Sequence, residues 1–250
     1  MAEIDDIKHE VTLANRMLVE MELAGGPTIE RGHVSFRLPN APDTFLIKAL
    51  GPALSLMDES DLMTCNMDGF KVEGRPDQNP PNEVKMHSCI MRANPGVNSV
   101  VHVHPRYTVL MSVLQAKLSP MCIEGMPLFA KPIPMFASPR LIIRDEDGVE
   151  VTTLLGDHQA ILLQGHGAAT TGGDMEDAVV NMLHLEEQAR MNYLAYCADG
   201  ADHRSLRPEQ AKEFVENMRR MPDQEHLKPE LAPTPRKPSG IWDHYSKLVG

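Results

Sequence analysis

The stretch Asn98-Ser99-Val100-Val101-His102-Val103-His104-Pro105 decides how the chain is read. It is short, rich in valine, preceded by Asn94-Pro95-Gly96 and closed by a proline, which is the signature of a buried strand between two breaks. Successive side chains of a strand point to opposite faces, so His102 and His104 project from the same one. Two imidazoles on one face are a frequent way of offering two ligands to a divalent cation. They also occur as ordinary packed side chains, and the pair alone does not choose.

Upstream of this strand, Glu83 to Ala93 predicts a helix with Val84, His87 and Met91 on one face, entered from the proline-rich loop Gly74 to Asn82. Earlier still, apolar spacing predicts a helix from Asp6 to about Ala24, stopped by Gly25-Gly26. Strands follow at Gly32–Leu38 and Thr44–Ala49, joined by the turn-forming Pro39 to Asp43, and Asp61 to Gly74 reads as a second hairpin turning at Met67-Asp68-Gly69. Downstream, Tyr107 to Leu118 looks helical. After a loop of prolines, Asp157 to Gln164 is an apolar strand that stops at Gly165-His166-Gly167, and Asp174 caps a helix from Met175 to about Ala198. Mixed α/β structure follows. Residues 1–200 read as one unit, and 201–250 as a helix near Ser205 to Met221 and an extended arm wrapped over it, part of the same unit.

The 250 residues, 42% apolar and 24% charged, are ordinary globular usage. With 35 acidic against 24 basic residues and no dense cationic cluster, attraction to a phosphate backbone is a poor source of affinity. The expected partner is therefore a small molecule and not nucleic acid. The first ten residues are charged, and no window approaches the roughly 18 apolar residues of a membrane helix, so the reading is cytoplasmic with no membrane partner. Cys65, Cys89, Cys122 and Cys197 form no CxxC pair and read as reduced thiols.

His166 supplies a third candidate ligand. It ends an apolar strand, and its flanking glycines let the backbone bend tightly without obstructing the ring. Three histidines leave coordination positions open for substrate, as metal sites that do chemistry require. Glu83 is the candidate carboxylate, because it emerges from the proline loop where a helix begins; an ordinary helix-start acid would stand there too.

Glu83, His102-Val103-His104 nineteen positions on, and Gly165-His166-Gly167 before what reads as a strand-to-helix turn together resemble the class II aldolase/adducin family. The resemblance runs from about Asp6 to Ala198. It implies a three-layer α/β/α fold with a central, mostly antiparallel sheet, a ring-like homotetramer, and a divalent metal (zinc, manganese or iron) held by His102, His104 and His166. By the same resemblance Glu83 is a fourth ligand or the acid/base. Adducin-like members have lost the metal site, whereas this chain keeps every ligand, which favours an enzyme.

Sugar-phosphate members of that family bind phosphate with a Gly-Asn-x-Ser turn, a Thr-Gly pair and two serines before the glutamate. Here the corresponding stretches read Gly32-His33-Val34-Ser35, Ala49-Leu50-Gly51-Pro52 and Pro81-Asn82. Loss of small hydroxyl and amide donors argues against a phosphate. Members with similar changes decarboxylate hydroxylated aromatic or pyridine dicarboxylates, and a few are iron oxygenases. A metal-dependent carbon–carbon lyase of the decarboxylase kind is therefore expected ahead of an aldolase, an oxygenase or a non-enzymatic interaction module. His33, Arg37 and Lys48 are candidate carboxylate contacts, as is Arg106; Tyr107, directly after the histidine strand, is a candidate proton relay. His244 and Tyr245 in the C-terminal arm are candidates for closing a neighbour's site.

Overall fold

The computed structural model describes residues 4–24, 31–227 and 238–250. The expected stop at Gly25-Gly26 and most of the proline-rich tract from Lys228 lie outside the described residues. Its centre is one eight-stranded sheet: β1 (Gly32–Leu38), β2 (Ala41–Lys48), β3 (Leu62–Asn66), β4 (Lys71–Glu73), β5 (Ser99–Val103), β6 (Met135–Phe136), β7 (Ala160–Leu163) and β8 (Gly167–Gly172). The strand order is β4-β3-β2-β1-β5-β8-β7-β6. Every pairing is antiparallel except β6 with β7.

Strand alternation divides the core between two faces. Leu46, Val34, Val101 and Leu162 point to one side, where they pack with Val11 and Leu18 of α1 (Ile4–Glu20) and Met182 of α5 (Met175–Asp199). Phe45, Ile47, Val100 and Ile161 point to the other, against Met86 and Ile90 of α2 (Val84–Ala93) and Val151 of α4 (Asp145–Leu155). The result is the three-layer α/β/α arrangement with a mostly antiparallel sheet. No helix among the described residues is long and apolar enough to cross a membrane, and all four cysteines are free.

Three expectations need correction. The segment after Gly165-His166-Gly167 is a strand, β8, and only then does the chain enter α5, so the histidine sits in a hairpin turn and not in a strand-to-helix turn. Its sequence, Gly-Ala-Ala-Thr-Thr-Gly, has none of the bulky alternation that marks a strand, because it is buried on both faces between β5 and β7. The proline-containing stretch after residue 118 holds β6 and the helix α4, whose start carries Asp145, Glu146 and Asp147 at the positive end of the helix dipole. The last residues are a helix, α7 (Gly240–Val249), in place of an extended arm. Ser239 caps it by accepting from the Trp242 amide at 3.2 Å, and Ile241, Trp242, Tyr245 and Val249 pack on this chain's own core beside α1. The Arg16 guanidinium donates to the Val249 carbonyl at 2.9 Å and ties α7 down. The helix between them is α6 (Pro208–Arg220).

Candidate metal centre

The sheet places the ionisable groups by register. His33 of β1 is paired with His102 of β5, and Ser35 with Val100, so His33, Ser35, Val100 and His102 all face the α2 side. Glu83 occupies the N-cap position of α2 but makes no cap hydrogen bond; its side chain turns down toward that same face. On the other flank of β5, Val103 pairs with Ala168, which brings the β7–β8 turn and His166 over the end of the strand.

Glycine is required on both sides of His166. Gly165 has φ = +67°, and a Cβ on Gly167 would lie 2.3 Å from the Val103 carbonyl and 2.7 Å from the His104 ring. The turn can therefore press His166 against His104 only where the neighbour has no side chain. The two histidine-bearing strands are not adjacent: β8 lies between β5 and β7, and the turn reaches back.

One ligand atom from each of Glu83, His102, His104 and His166 lies within 4.8 Å of the others. His102 Nδ1 is 2.9 Å from the Ala168 carbonyl, so that nitrogen carries the proton and the lone pair of the neutral ring sits on Nε2. That lone pair faces Glu83 Oε2 at 3.0 Å and His104 Nε2 at 3.2 Å. His166 Nε2 comes within 3.3 Å of Glu83 Oε2 without hydrogen-bond geometry, and neither buried ring nitrogen of His166 has a hydrogen-bond partner among the described residues. With His102 neutral its Nε2 lone pair faces a carboxylate that can only accept, both His166 nitrogens are unmet among the described residues, and an unmet buried polar atom costs about 1–3 kcal/mol. A divalent cation among these four groups removes the conflict, and a set of three imidazoles with a carboxylate suits zinc, manganese or iron. The residues fit a metal.

The electrostatics follow the same geometry. Burial works to raise the Glu83 carboxyl, but the facing His102 and His166 rings override it and hold it well below the usual carboxylate range. For His102 burial lowers the ring, and the Glu83 carboxylate more than offsets this and raises it. Burial, with His102 and His166 nearby, pushes His104 down to about 3. The second Glu83 oxygen, Oε1, accepts from the Ile142 amide at 3.0 Å, which anchors the carboxylate while Oε2 faces the rings.

A pocket of about 410 Å³ opens beside the cluster, with Glu83, His102 and His104 in its wall, together with His33, Lys48 and Arg31. The sequence-derived candidates divide here. His33 and the buried Lys48 reach this pocket; the Lys48 ammonium donates to the Ala49 carbonyl at 3.1 Å. Arg37 does not. It shares the strand face of His33 but lies four residues along, roughly 13 Å at strand rise. There its guanidinium donates to the carbonyls of Met91, Val97 and Pro42 and closes the C-terminal end of α2. Arg31, two residues before His33 on the same side, was the cation that strand parity could have found.

Within one chain, Arg106, Tyr107, His244 and Tyr245 also stand outside this pocket. The chain turns at Pro105 into α3 (Arg106–Leu114), and Arg106 and Tyr107 line a separate cavity of about 530 Å³ beside Glu186 and Arg190. His244 is exposed on α7, and Tyr245 packs on the core. Two buried groups missing from the expected contacts, Ser35 and the α2 residue His87, lie directly behind His33. His87 Nε2 is 2.8 Å from His33 Nδ1, and Ser35 Oγ is 2.7 Å from His87 Nδ1. The spacing of His87 one helical turn after Glu83 was the signal for it.

Residues 10–193 match the family described as Class II Aldolase and Adducin N-terminal domain. The chain is 28% identical over 204 residues to a 3,4-dihydroxyphthalate decarboxylase of Arthrobacter keyseri, covering 78% of this chain and 80% of that one. It is 26% identical over 155 residues to an L-fuculose phosphate aldolase of Methanocaldococcus jannaschii, covering 61% of this chain and 80% of the other. Among solved structures, the L-fuculose 1-phosphate aldolase from Glaciozyma antarctica PI12 superposes with a TM-score of 0.78 over all of this chain and 92% of that one, at 20% identity, a likeness of fold.

Proposed function

Because the chain belongs to the class II aldolase and adducin family, we propose that it is a divalent-metal-dependent carbon–carbon lyase that decarboxylates a hydroxylated aromatic carboxylate, of the dihydroxyphthalate or hydroxypyridine kind. The observation that carries the reading is the pocket itself. Four converging ligand atoms stand beside Lys48, Arg31 and His33, and exposed Leu50 and Leu141 rim the opening. Cations suit a carboxylate, and the two leucines suit the face of a flat ring.

A divalent cation held by His102, His104 and His166, with Glu83 beside it, would supply Lewis acidity that stabilises negative charge developing on the substrate. The side chains do the rest. Lys48 and Arg31 orient the carboxylate, and the leucine rim keeps water from the ring face. Glu83, held ionised and anchored through Oε1, takes the proton of the substrate hydroxyl at Oε2. The bond between ring carbon and carboxyl then breaks, its electron pair stays with the ring, CO2 leaves, and the ring carbon takes the proton that Glu83 holds.

As part of the same proposal the enzyme is a cytoplasmic homotetramer acting on a small molecule. Tyr107, Arg106, His244 and Tyr245 then reach the chemistry only across a subunit boundary. The deciding experiment incubates metal-loaded protein with hydroxylated phthalates, benzoates and pyridine carboxylates and follows CO2 release, against fuculose and ribulose phosphates followed for cleavage. CO2 from the aromatic panel is expected. Efficient sugar-phosphate cleavage without it would replace this reading with an aldolase.

A further inference from the structure

His33 is the pocket's only imidazole backed by a complete buried hydrogen-bond chain among the described residues. Its Nδ1 lies 2.8 Å from His87 Nε2, and His87 Nδ1 lies 2.7 Å from Ser35 Oγ. All three residues are buried, His87 and Ser35 fully, and only His33 among them reaches the pocket. The direction of the chain can be read from the serine. Its hydroxyl has one proton and two neighbours, His87 Nδ1 at 2.7 Å and the Val100 carbonyl at 3.4 Å. Were the hydroxyl to accept from His87, its own proton would be left with the Val100 carbonyl at 3.4 Å, long for a hydroxyl bond, whereas donating to His87 Nδ1 at 2.7 Å gives it a full one.

The serine therefore donates to His87 Nδ1. A neutral His87 then carries its proton on Nε2 and donates to His33 Nδ1, and a neutral His33 carries its proton on Nε2, the nitrogen left for the pocket. Both rings are buried, which favours their uncharged forms.

We infer that Ser35 and His87 are positioning residues that lock His33 into one tautomer, so that it offers the pocket a single neutral N–H of fixed direction, a donor for one oxygen of an aromatic carboxylate. Beside the cations Lys48 and Arg31, such a donor selects for a planar anion whose oxygen lies in one place, and gives little to a phosphate, which needs several convergent donors. The inference rests on the carboxylate reading of the site and deepens it by assigning the group that reads the substrate's oxygen.

The test uses the zinc-loaded protein with 15N-labelled histidine and two probes, phthalate, which lacks the hydroxyls needed for reaction, and inorganic phosphate. Long-range proton–nitrogen spectra are expected to show His33 and His87 both protonated on Nε2. Ser35→Ala is expected to bring Nδ1-protonated His87 into the spectrum and to weaken phthalate binding about tenfold while phosphate binding stays within about twofold. Ser35→Thr, which keeps the hydroxyl on a strand-compatible side chain, is expected to restore both. Proton occupancy of Nδ1 on His33 in the parent, or phthalate binding by Ser35→Ala as tight as the parent's, overturns the inference. So does loss of zinc or of thermal stability in Ser35→Ala, which would make Ser35 a packing residue. If the spectra and phthalate binding come out as expected but no aromatic acid is decarboxylated, the reaction assigned above falls and the donor chain stands.

Discussion

Glu83 is buried and Glu186 half-buried, each beside the first turn of a helix, and the contrast between them separates chemistry from architecture. Glu186, on α5, receives the Tyr107 and Thr108 amides at 2.8 Å each and the Thr108 hydroxyl at 2.7 Å, so its oxygens satisfy the first turn of α3. Each of these three partners is a donor. Burial raises its carboxyl, and those donors pull the other way. Glu83 has a backbone donor on Oε1, and its Oε2 faces the Nε2 atoms of His102 and His166, of which the His166 nitrogen has no hydrogen-bond partner among the described residues. A carboxylate whose surroundings complete it is a structural cap. One whose surroundings compete with it needs something else in the site.

The sharpest break of this contrast is at the rings. His102→Ala and His166→Ala are each expected to leave the fold and lower bound metal to below roughly a tenth of an ion per chain, with turnover lost, because two imidazoles and a carboxylate hold the ion far less well than three. Elemental analysis of the purified variants checks it, and full occupancy in either would show that the cluster is not the metal site.

Next comes Glu83→Gln. Turnover should drop about 10²–10⁴-fold with most of the metal retained, since the amide keeps the shape and cannot carry the proton. A variant as fast as the parent would make Glu83 a second Glu186.

Gly167→Ala tests the backbone that sets the geometry. The added methyl would meet the Val103 carbonyl and the His104 ring, so metal affinity, measured by competition with a chelator, should weaken about 10–100-fold. Unchanged affinity would mean that the turn has room to move.

Glu186→Gln should give the smallest effect. Substituting the cap is expected to cost about 1–2 kcal/mol, or a few degrees in Tm, while turnover stays within about twofold. A large loss of turnover with metal in place would instead connect the Tyr107 region to catalysis, and would count for a site completed between subunits.

How much of this the sequence discloses depends on whether local pattern or tertiary contact decides. The valine run before His102 and the apolar run before Gly165 declare their strands, and the glycines around His166 announce a tight turn. Glu83 is legible as a carboxylate at the start of a helix. Strand β8 is not, because Ala168, Ala169, Thr170 and Thr171 are chosen for close approach between β5 and β7 rather than for a hydrophobic face. Helix α4 hides because Gly148 and its β-branched residues weaken the helical signal, and a Cβ at Gly148 would meet Cys89 Sγ at 2.6 Å; the packing of α4 on α2 chose that glycine. The pairing of His33 with His87 joins residues from a strand and a helix that only the folded sheet brings together. Arg37 misleads for the opposite reason: parity places it on the correct face, and only its distance along the strand removes it.

The convergence of Glu83, His102, His104 and His166 has a further consequence for the chain as a polymer. These groups come from three stretches, Glu83, His102 with His104, and His166, and an ion bound to all of them would act as a cross-link, closing one short and one long loop at a single point. Most of the loop-closure entropy is already lost in folding, so the ion's contribution is to resist local opening. When a chelator removes it, the β7–β8 turn and the segment around Ile142, which is tied to the cluster through Glu83, lose their shared tether. Those are the places where limited proteolysis and amide exchange should accelerate first, with the interior strands following later.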